Sequence, residues 1–429
     1  MEENNVIPDG WHQINGENLF KVQGGYAFKS DTYLNEGILL VRIGNVGNGS
    51  FSFKDPIFVS KRFVFSHPNF LLNKGDVLMG LTGDLGKVCQ LITGDFPYIL
   101  NQRVGRFICS NEIKNSYLFY LLSSSLIQSK FEGFFSGGAQ KNISPKQIES
   151  IDYLLPKDIQ EQSKISEILS KVDKAISETE VIIAKYNRIK TGLMQDLLTK
   201  GIDEKGNIRN EETHEFKDSP LGRIPKEWSP KKLNDCINKS TTITYGIVQT
   251  YEHIEDGIPV LRTIDLKENG LNSIDNLLRT KKSISDMYKR TLLLENDIVC
   301  NVRASVGDFN IVTIDYVCCN TTRGVARICP SDDVNNNYLL WFLKSYRNEK
   351  QMELLIKGTT FIDINIADLR KIIVLLPSKT EQDLIADKLD KIQTSFHKYN
   401  TELSKLKSIK TGLMQDLLSG KKRVTHLIN

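Results

Sequence analysis

Lys190–Leu198 reads KTGLMQDLL, and Lys410–Leu418 reads KTGLMQDLL again, 220 positions later. Nine consecutive identities in 429 residues are not chance, so the chain holds an internal duplication. A repeat decides the architecture before any single element is assigned. Working upstream at nearly the same offset, Leu154-Leu155-Pro156 with Glu161-Gln162 answers Leu375-Leu376-Pro377 with Glu381-Gln382. Ile7-Pro8-Asp9-Gly10-Trp11 answers Ile224-Pro225-Lys226-Glu227-Trp228, and GILLVRIGNV at Gly37–Val46 resembles GIPVLRTIDL at Gly257–Leu266. Asn73–Leu78 (NKGDVL) answers Leu294–Val299 (LENDIV). Each half is therefore a variable globular part followed by a better-matched helical part.

The helical parts carry a seam. Ile165, Leu169, Val172, Ile176, Ile183, Tyr186 and Leu193 alternate in steps of three and four, broken at Thr179 and Lys190. The second copy runs Ile385, Leu389, Ile392, Phe396, Tyr399, Leu403, Leu406 and Leu413, broken at Lys410. This is an a/d heptad pattern. Packing of each helix on its own domain is one reading. The narrow stripe favours the other, two long α-helices forming an antiparallel coiled coil with a pseudo-two-fold internal repeat.

The globular parts mix strand-like runs, VGRFICS (Val104–Ser110) and GVARICP (Gly324–Pro330), with apolar helical runs at Ser116–Leu126 and Asn337–Tyr346. Their class is α/β (α+β). Predicted boundaries are 1–156 and 223–377 for the globular domains, and 157–200 and 378–420 for the helices. A polar connector, 201–222, has a composition that need not pack a core, and 421–429 is a basic tail.

Net charge is +4, mildly basic, which permits a nucleic-acid partner. Loops rich in Gly and Thr hold Arg42, Lys87, Arg103, Arg106, Gln140, Lys141 and Asn142 in the first half, and Arg262, Arg303, Thr322, Arg323, Thr359 and Thr360 in the second. Arg grips guanine with two hydrogen bonds, and Asn or Gln does so with adenine. Lys suits phosphates. These residues are the candidates for contact with double-stranded DNA; the bland alternative for each is a solvated surface charge. The 29 positions from Ile165 to Leu193 span ~43 Å as a helix, against ~34–36 Å between half-sites one DNA turn apart.

Catalytic signatures are missing. There is no G-x-x-x-x-G-K-[ST] phosphate loop, no glycine fingerprint after a first strand and no Asn-Pro-Pro-aromatic tetrapeptide. The six His match no H-x-x-x-H pair. Asp76, Asp84, Asp297 and Asp308 read as turn residues, beside glycine or, for Asp297, asparagine, rather than nuclease carboxylates. Seven Cys without a C-x-x-C pair predict buried thiols in a reducing cytosol. The acidic, polar start is no signal peptide and no apolar run reaches the ~18 residues of a membrane span, so a cytoplasmic protein is expected.

KTGLMQDLLTKGI (Lys190–Ile202) followed by FKDSPLGRIPKEW (Phe216–Trp228) resembles the central region of type I restriction-modification specificity subunits. IPDGW near the start, Leu-Pro followed after four residues by Glu161-Gln162 and after three by Glu381-Gln382, and the repeated TGLMQDLL extend the resemblance over the whole chain. The resemblance implies two target-recognition domains, each reading half of a bipartite DNA site, with the helices setting the unread gap. It implies two modification (methyltransferase) subunits that carry S-adenosylmethionine and methylate adenine, and restriction (translocase/nuclease) subunits using ATP and Mg. The chain itself is then non-catalytic, holds no cofactor or metal, meets no membrane and works at a bacterial or archaeal nucleoid. Because the helices match and the globular parts differ, the expected target is asymmetric rather than palindromic. A protein-binding scaffold and a nuclease with an unrecognised site are the rival readings.

Overall fold

The computed structural model describes residues 7–428 except 84–85, 93, 95–96, 135–141, 251, 268–269 and 357–361. The chain divides into two compact units. One is built from the chain up to Glu180 together with Thr401 onward, the other from Val181–Asn400.

In the first unit Trp11–Asn15 pairs antiparallel with Asp152–Pro156, tying the start of the globular part to its end. Between them lies a four-stranded antiparallel sheet in the order Phe20–Gly24, Val104–Cys109, Val77–Gly80, Val88–Gln90. A second sheet runs Phe58–Val59, Ile38–Val41, Tyr98–Leu100, Leu71–Leu72, with a parallel pair at its centre. Val77–Gly80 is buried at every position, which accounts for its uninterrupted apolar sequence. The second unit repeats this plan. Ser229–Lys232 pairs with Ile373–Leu376; a four-stranded sheet runs Thr244–Tyr245, Val325–Ile328, Ile298–Asn301, Phe309–Ile311; and Ile258–Leu261 pairs parallel with Asn320–Thr321. The expected mixture of helices and sheets is present in both units.

The predicted helix at Ser116–Leu126 is two helices, Asn115–Ser123 and Ser125–Glu132. Ser124 breaks the run because its hydroxyl accepts the N–H of Ile127 as an N-cap. Ser345 does the same between Asn336–Leu343 and Tyr346–Leu355.

The long helices are Ile159–Leu197 and Lys379–Leu418. Asp158 accepts the N–H of Gln160 at the first start, and Ser378 that of Glu381 at the second. Past each end stands a left-handed glycine, Gly201 at φ +64° and Gly420 at φ +74°. Both readings of the seam find contacts. Ile165 and Leu169 are fully buried in the globular core of the first unit with Tyr117, Phe131 and Tyr153. Ile385 and Leu389 are fully buried in the second with Trp228, Tyr338 and Phe342. Leu193 and Leu413 pack at the edges of these cores. The middle positions, Val172, Ile176, Ile183, Tyr186, Ile392, Phe396, Tyr399, Leu403 and Leu406, are half-buried.

The seam breaks have partners. In the first unit Lys410 ion-pairs with Asp173 at 2.6 Å and Lys407 with Glu180 at 2.9 Å. In the second, Lys190 Nζ donates to Gln393 Oε1 at 3.1 Å, and the rings of Tyr186 and Tyr399 lie 5.3 Å apart. Along these pairs the numbers rise on one helix as they fall on the other. Lys190 also stands over the Trp341 and Phe396 rings. Thr179 is buried, its hydroxyl donating to Ala175 O one turn back.

The connector differs from its expected role. Ile202 is buried in the core, and the turn Asp203–Asn207 folds the chain back so that Ile202 bridges Ile208. This delivers Arg209 to the buried carboxylate of Glu381, Nη2 to Oε2 at 3.1 Å, with the N–H of Ile202 and the indole of Trp228 on Oε1. Polar composition misled because one isoleucine and one arginine, rather than an apolar face, make the anchor. The basic tail is likewise packed. Val424 is buried, Arg423 grips both oxygens of Glu161 at 2.7 Å, and it also donates to Asp9 O. Glu161 is wholly buried, so this pair is intramolecular glue rather than a solvated tail charge.

Cys89, Cys236, Cys300 and Cys319 are buried as expected and Cys109 and Cys329 half-buried, but Cys318 is exposed in a turn at φ +67°. No helix among the described residues is long and apolar enough to cross a membrane.

Candidate nucleic-acid interface

The predicted contact residues separate into frame and edge. The frame starts from a turn repeated in both units. Asn73-Lys74-Gly75-Asp76 and Leu294-Glu295-Asn296-Asp297 each place a left-handed residue before the aspartate, Gly75 at φ +97° and Asn296 at φ +68°. Glycine takes this conformation freely and asparagine tolerates it. The aspartate then turns back to accept the N–H of Asn73 at 2.8 Å, or of Leu294 at 2.7 Å.

Each aspartate also holds an arginine on the neighbouring strand, Arg106 at 3.1 Å and Arg327 at 2.6 Å. The same guanidiniums donate to Leu71 O and Arg290 O, both at 3.0 Å. Burial pushes the Asp76 carboxyl above its ordinary range, offset only in part by the N–H of Asn73 and then by Arg106. Arg106, predicted to face DNA, is therefore turned inward, with Nη1 on Leu71 O and Nε beside the Asp76 carboxylate. Arg42 and Arg262 are tied similarly. Arg42 Nη2 donates to Asp55 O at 3.0 Å, and Arg262 Nε donates to the buried Asp265 at 3.0 Å. The backbone N–H of Arg42 is capped by Asn45, and that of Arg262 by Asp265. These three arginines belong to the frame because each has a partner at hydrogen-bond distance that a base would have to displace.

The edge is gathered by backbone hydrogen bonds. In the first unit Leu81 N–H donates to Arg103 O, Ile143 N–H to Leu81 O, and Gly80 N–H to Lys87 O. Thr82 bridges Asn142. Lys87, Arg103 and Asn142 thus come from three separate segments to one turn, with Arg103 and Asn142 exposed. In the second unit Val302 N–H donates to Gly324 O, Ile364 N–H to Val302 O, and Arg303 bridges Asp363. Thr322 N–H donates to Leu261 O and Arg323 N–H to Ile247 O, so Thr322 and Arg323 meet Arg303 at the equivalent turn. Arg303 and Arg323 are exposed. Gln140, Lys141, Thr359 and Thr360 lie outside the described residues.

Two features escaped the sequence reading. Gln102 is exposed on the same turn, at the position equivalent to Arg323. Ala304 takes φ +61° beside Arg303, its N–H held by Ile362 O. The strand ladders align the halves at an offset of 221 in this region, pairing Val104 with Gly80 and Val325 with Asn301. That offset also superposes Asp76 on Asp297 and Arg106 on Arg327, the signal that marks them as shared frame.

Comparison with known proteins places this arrangement. A model of the type I restriction modification DNA specificity domain matches residues 8–187 and again 225–408. The chain is 26% identical over 399 residues to the EcoBI specificity subunit of Escherichia coli, covering 90% of this chain and 80% of that protein. It is 26% identical over 414 residues to the MjaVIII specificity subunit of Methanocaldococcus jannaschii, covering 95% and 88%. Among solved structures, the S subunit of a type I restriction-modification system from M. genitalium matches with a TM-score of 0.62 at 16% identity, over 97% of this chain and 98% of that one.

Proposed function

The chain belongs to the type I restriction-modification DNA specificity subunits, and from that premise we propose that each globular part reads one half of an asymmetric bipartite site on double-stranded DNA. The observation that carries this is a repeated frame bearing unlike edges. The same aspartate–arginine pairs stand in both units. The turns they support present Gln102, Arg103 and Asn142 in one and Arg303, Thr322 and Arg323 in the other. Different donors and acceptors on one scaffold select different bases.

The two long helices act as the spacer, an antiparallel coiled coil whose reversed pairs, Asp173 with Lys410 and Lys190 with Gln393, support the reading. Their matching sequences suit two copies of one partner, the modification subunits, with restriction subunits joining the complex. S-adenosylmethionine, ATP and Mg belong to those partners. This chain contributes selection rather than chemistry.

Mapping methylated adenines across the genome of cells carrying the complete system tests the proposal. Two different half-sites separated by a fixed gap are expected. A palindromic motif, or methylation by this chain without a partner, refutes it.

A further inference from the structure

Beyond the loop edge, each unit carries a short helix with an unusual outer face. Both follow the strand that pairs antiparallel with the central parallel pair, Val59 opposite Ile38 and Thr280 opposite Ile258, so the two helices are equivalent. In the first unit the helix is Phe63–Ser66, followed by the turn Pro68–Phe70. In the second it is Lys282–Met287, followed by Lys289–Thr291.

Their inner faces share nothing. Phe63 sits edge-on to Phe28 at 5.0 Å, and the His67 ring lies 4.2 Å from that of Tyr26. In the second unit a polar network does the anchoring. The wholly buried Asn320 donates to Ser285 Oγ at 3.0 Å and to Tyr288 O at 3.3 Å, and accepts from Thr291 Oγ1 at 2.7 Å.

Their outer faces share one pattern, a single exposed apolar side chain flanked by exposed cations. Phe65 is 86% exposed and Met287 is 72% exposed. Lys61 and Arg62 flank the first tip, and Lys281, Lys282, Lys289 and Arg290 flank the second, all exposed. None of these six cations ion-pairs with a described residue. Residues 61–74 hold three Lys and Arg and no acid. Residues 279–290 hold five Lys and Arg against Asp286 alone, a net +4 that equals the charge of the whole chain. Scattered exposed apolar side chains need no explanation. An exposed apolar side chain set among cations on the equivalent helix of two otherwise diverged domains does, although at the strand offset of 221 Phe65 answers Asp286 and Met287 answers Ser66.

We propose that these helices are a second DNA-contacting element in each unit: the cations bind backbone phosphates, and Phe65 or Met287 lies against the sugar and base edges in the groove beside the read bases. This rests on the DNA-reading proposal above. Apolar side chains among cations suit a nucleic-acid groove, where the phosphates neutralise the flanks and the tip leaves water. With the cations on phosphates and an apolar tip in the groove the contact reads no base, so it strengthens binding to cognate and unrelated duplex alike.

The test uses the full chain co-purified with its modification subunits, titrated with cognate and unrelated duplex over a range of salt. Each phosphate contact contributes about 0.9 to the slope of log K against log salt, so Lys281→Gln with Lys282→Gln lowers the magnitude of that slope by about 2 on both duplexes. Met287→Ser weakens both duplexes several-fold at unchanged slope. Unchanged slope and affinity in these variants, with the parent complex binding normally, overturns the inference and leaves the DNA-reading proposal standing. Failure of the parent complex to bind any duplex overturns both. Loss of co-purification with the modification subunits makes these helices a protein-docking element and overturns the inference.

Discussion

Replacing Arg423 with alanine removes both nitrogens that hold the Glu161 carboxylate, and no other described group donates to it. Glu161 is wholly buried, so a charge is left without compensation. Breaking a buried pair from one side costs about 3–5 kcal/mol. Arg423 itself is 28% exposed, so water enters the vacated space and the lower end, about 3 kcal/mol, is expected. At about 2–4 °C per kcal/mol for domains of this size, Tm falls by roughly 6–12 °C. Arg209→Ala provides the internal control. Glu381 keeps the N–H of Ile202 at 2.9 Å and the indole of Trp228 at 3.3 Å, and each hydrogen bond to a charged group contributes about 1.5–3 kcal/mol. Its loss is therefore smaller, about 2 kcal/mol. Removing both charges together, as Glu161→Met with Arg423→Met, recovers most of the loss because the unpaired charge is gone. Scanning calorimetry of the four proteins decides the matter. A shift below about 2 °C for Arg423→Ala, or a larger shift for Arg209→Ala, refutes the reasoning.

Gly201→Ala combines a left-handed backbone with a Cβ 2.2 Å from Glu381 Oε1 and 2.6 Å from the Trp228 ring, so a loss above about 1 kcal/mol is expected in urea unfolding. At pH 8, iodoacetamide labels the exposed Cys318 first, whereas burial pushes the thiols of Cys89, Cys109 and Cys236 up to about 12 and keeps them protonated and unreactive; peptide mass spectrometry reads the order. Arg103→Ala relaxes base preference in one half-site and Arg303→Ala in the other, each by about 1–3 kcal/mol per contacted base, as read from methylated-adenine maps. Relaxation of both half-sites by a single substitution contradicts the assignment of one half-site to each unit.

Repetition and periodicity made much of this molecule legible. KTGLMQDLL marked the last turns of both long helices. The alternation in VGRFICS and GVARICP located the central strands, observed at Val104–Cys109 and Val325–Ile328. Long-range polar pairing was not legible. Nothing local in GNIR marks Arg209 as the partner of a glutamate 172 positions away. For the same reason Arg106 and Arg303 look alike as letters, although one is held by Asp76 and the other is exposed. A guanidinium facing inward differs from one facing water only in what the fold brings opposite it.

The pair between Glu161 and Arg423 spans 262 positions, yet both residues belong to one compact unit. At about 5–20 residues per second of synthesis, the arginine follows the glutamate by roughly 13–50 seconds. Throughout that interval the first unit must hold a buried-site glutamate without its counter-charge, while Trp11 waits for Gly420, whose Cα lies close enough that an added Cβ would stand 3.1 Å from the indole. The first domain to leave the ribosome is therefore the last to be completed. A ribosome that stalls between Asn400 and Arg423 leaves the later unit whole and the earlier one unfinished.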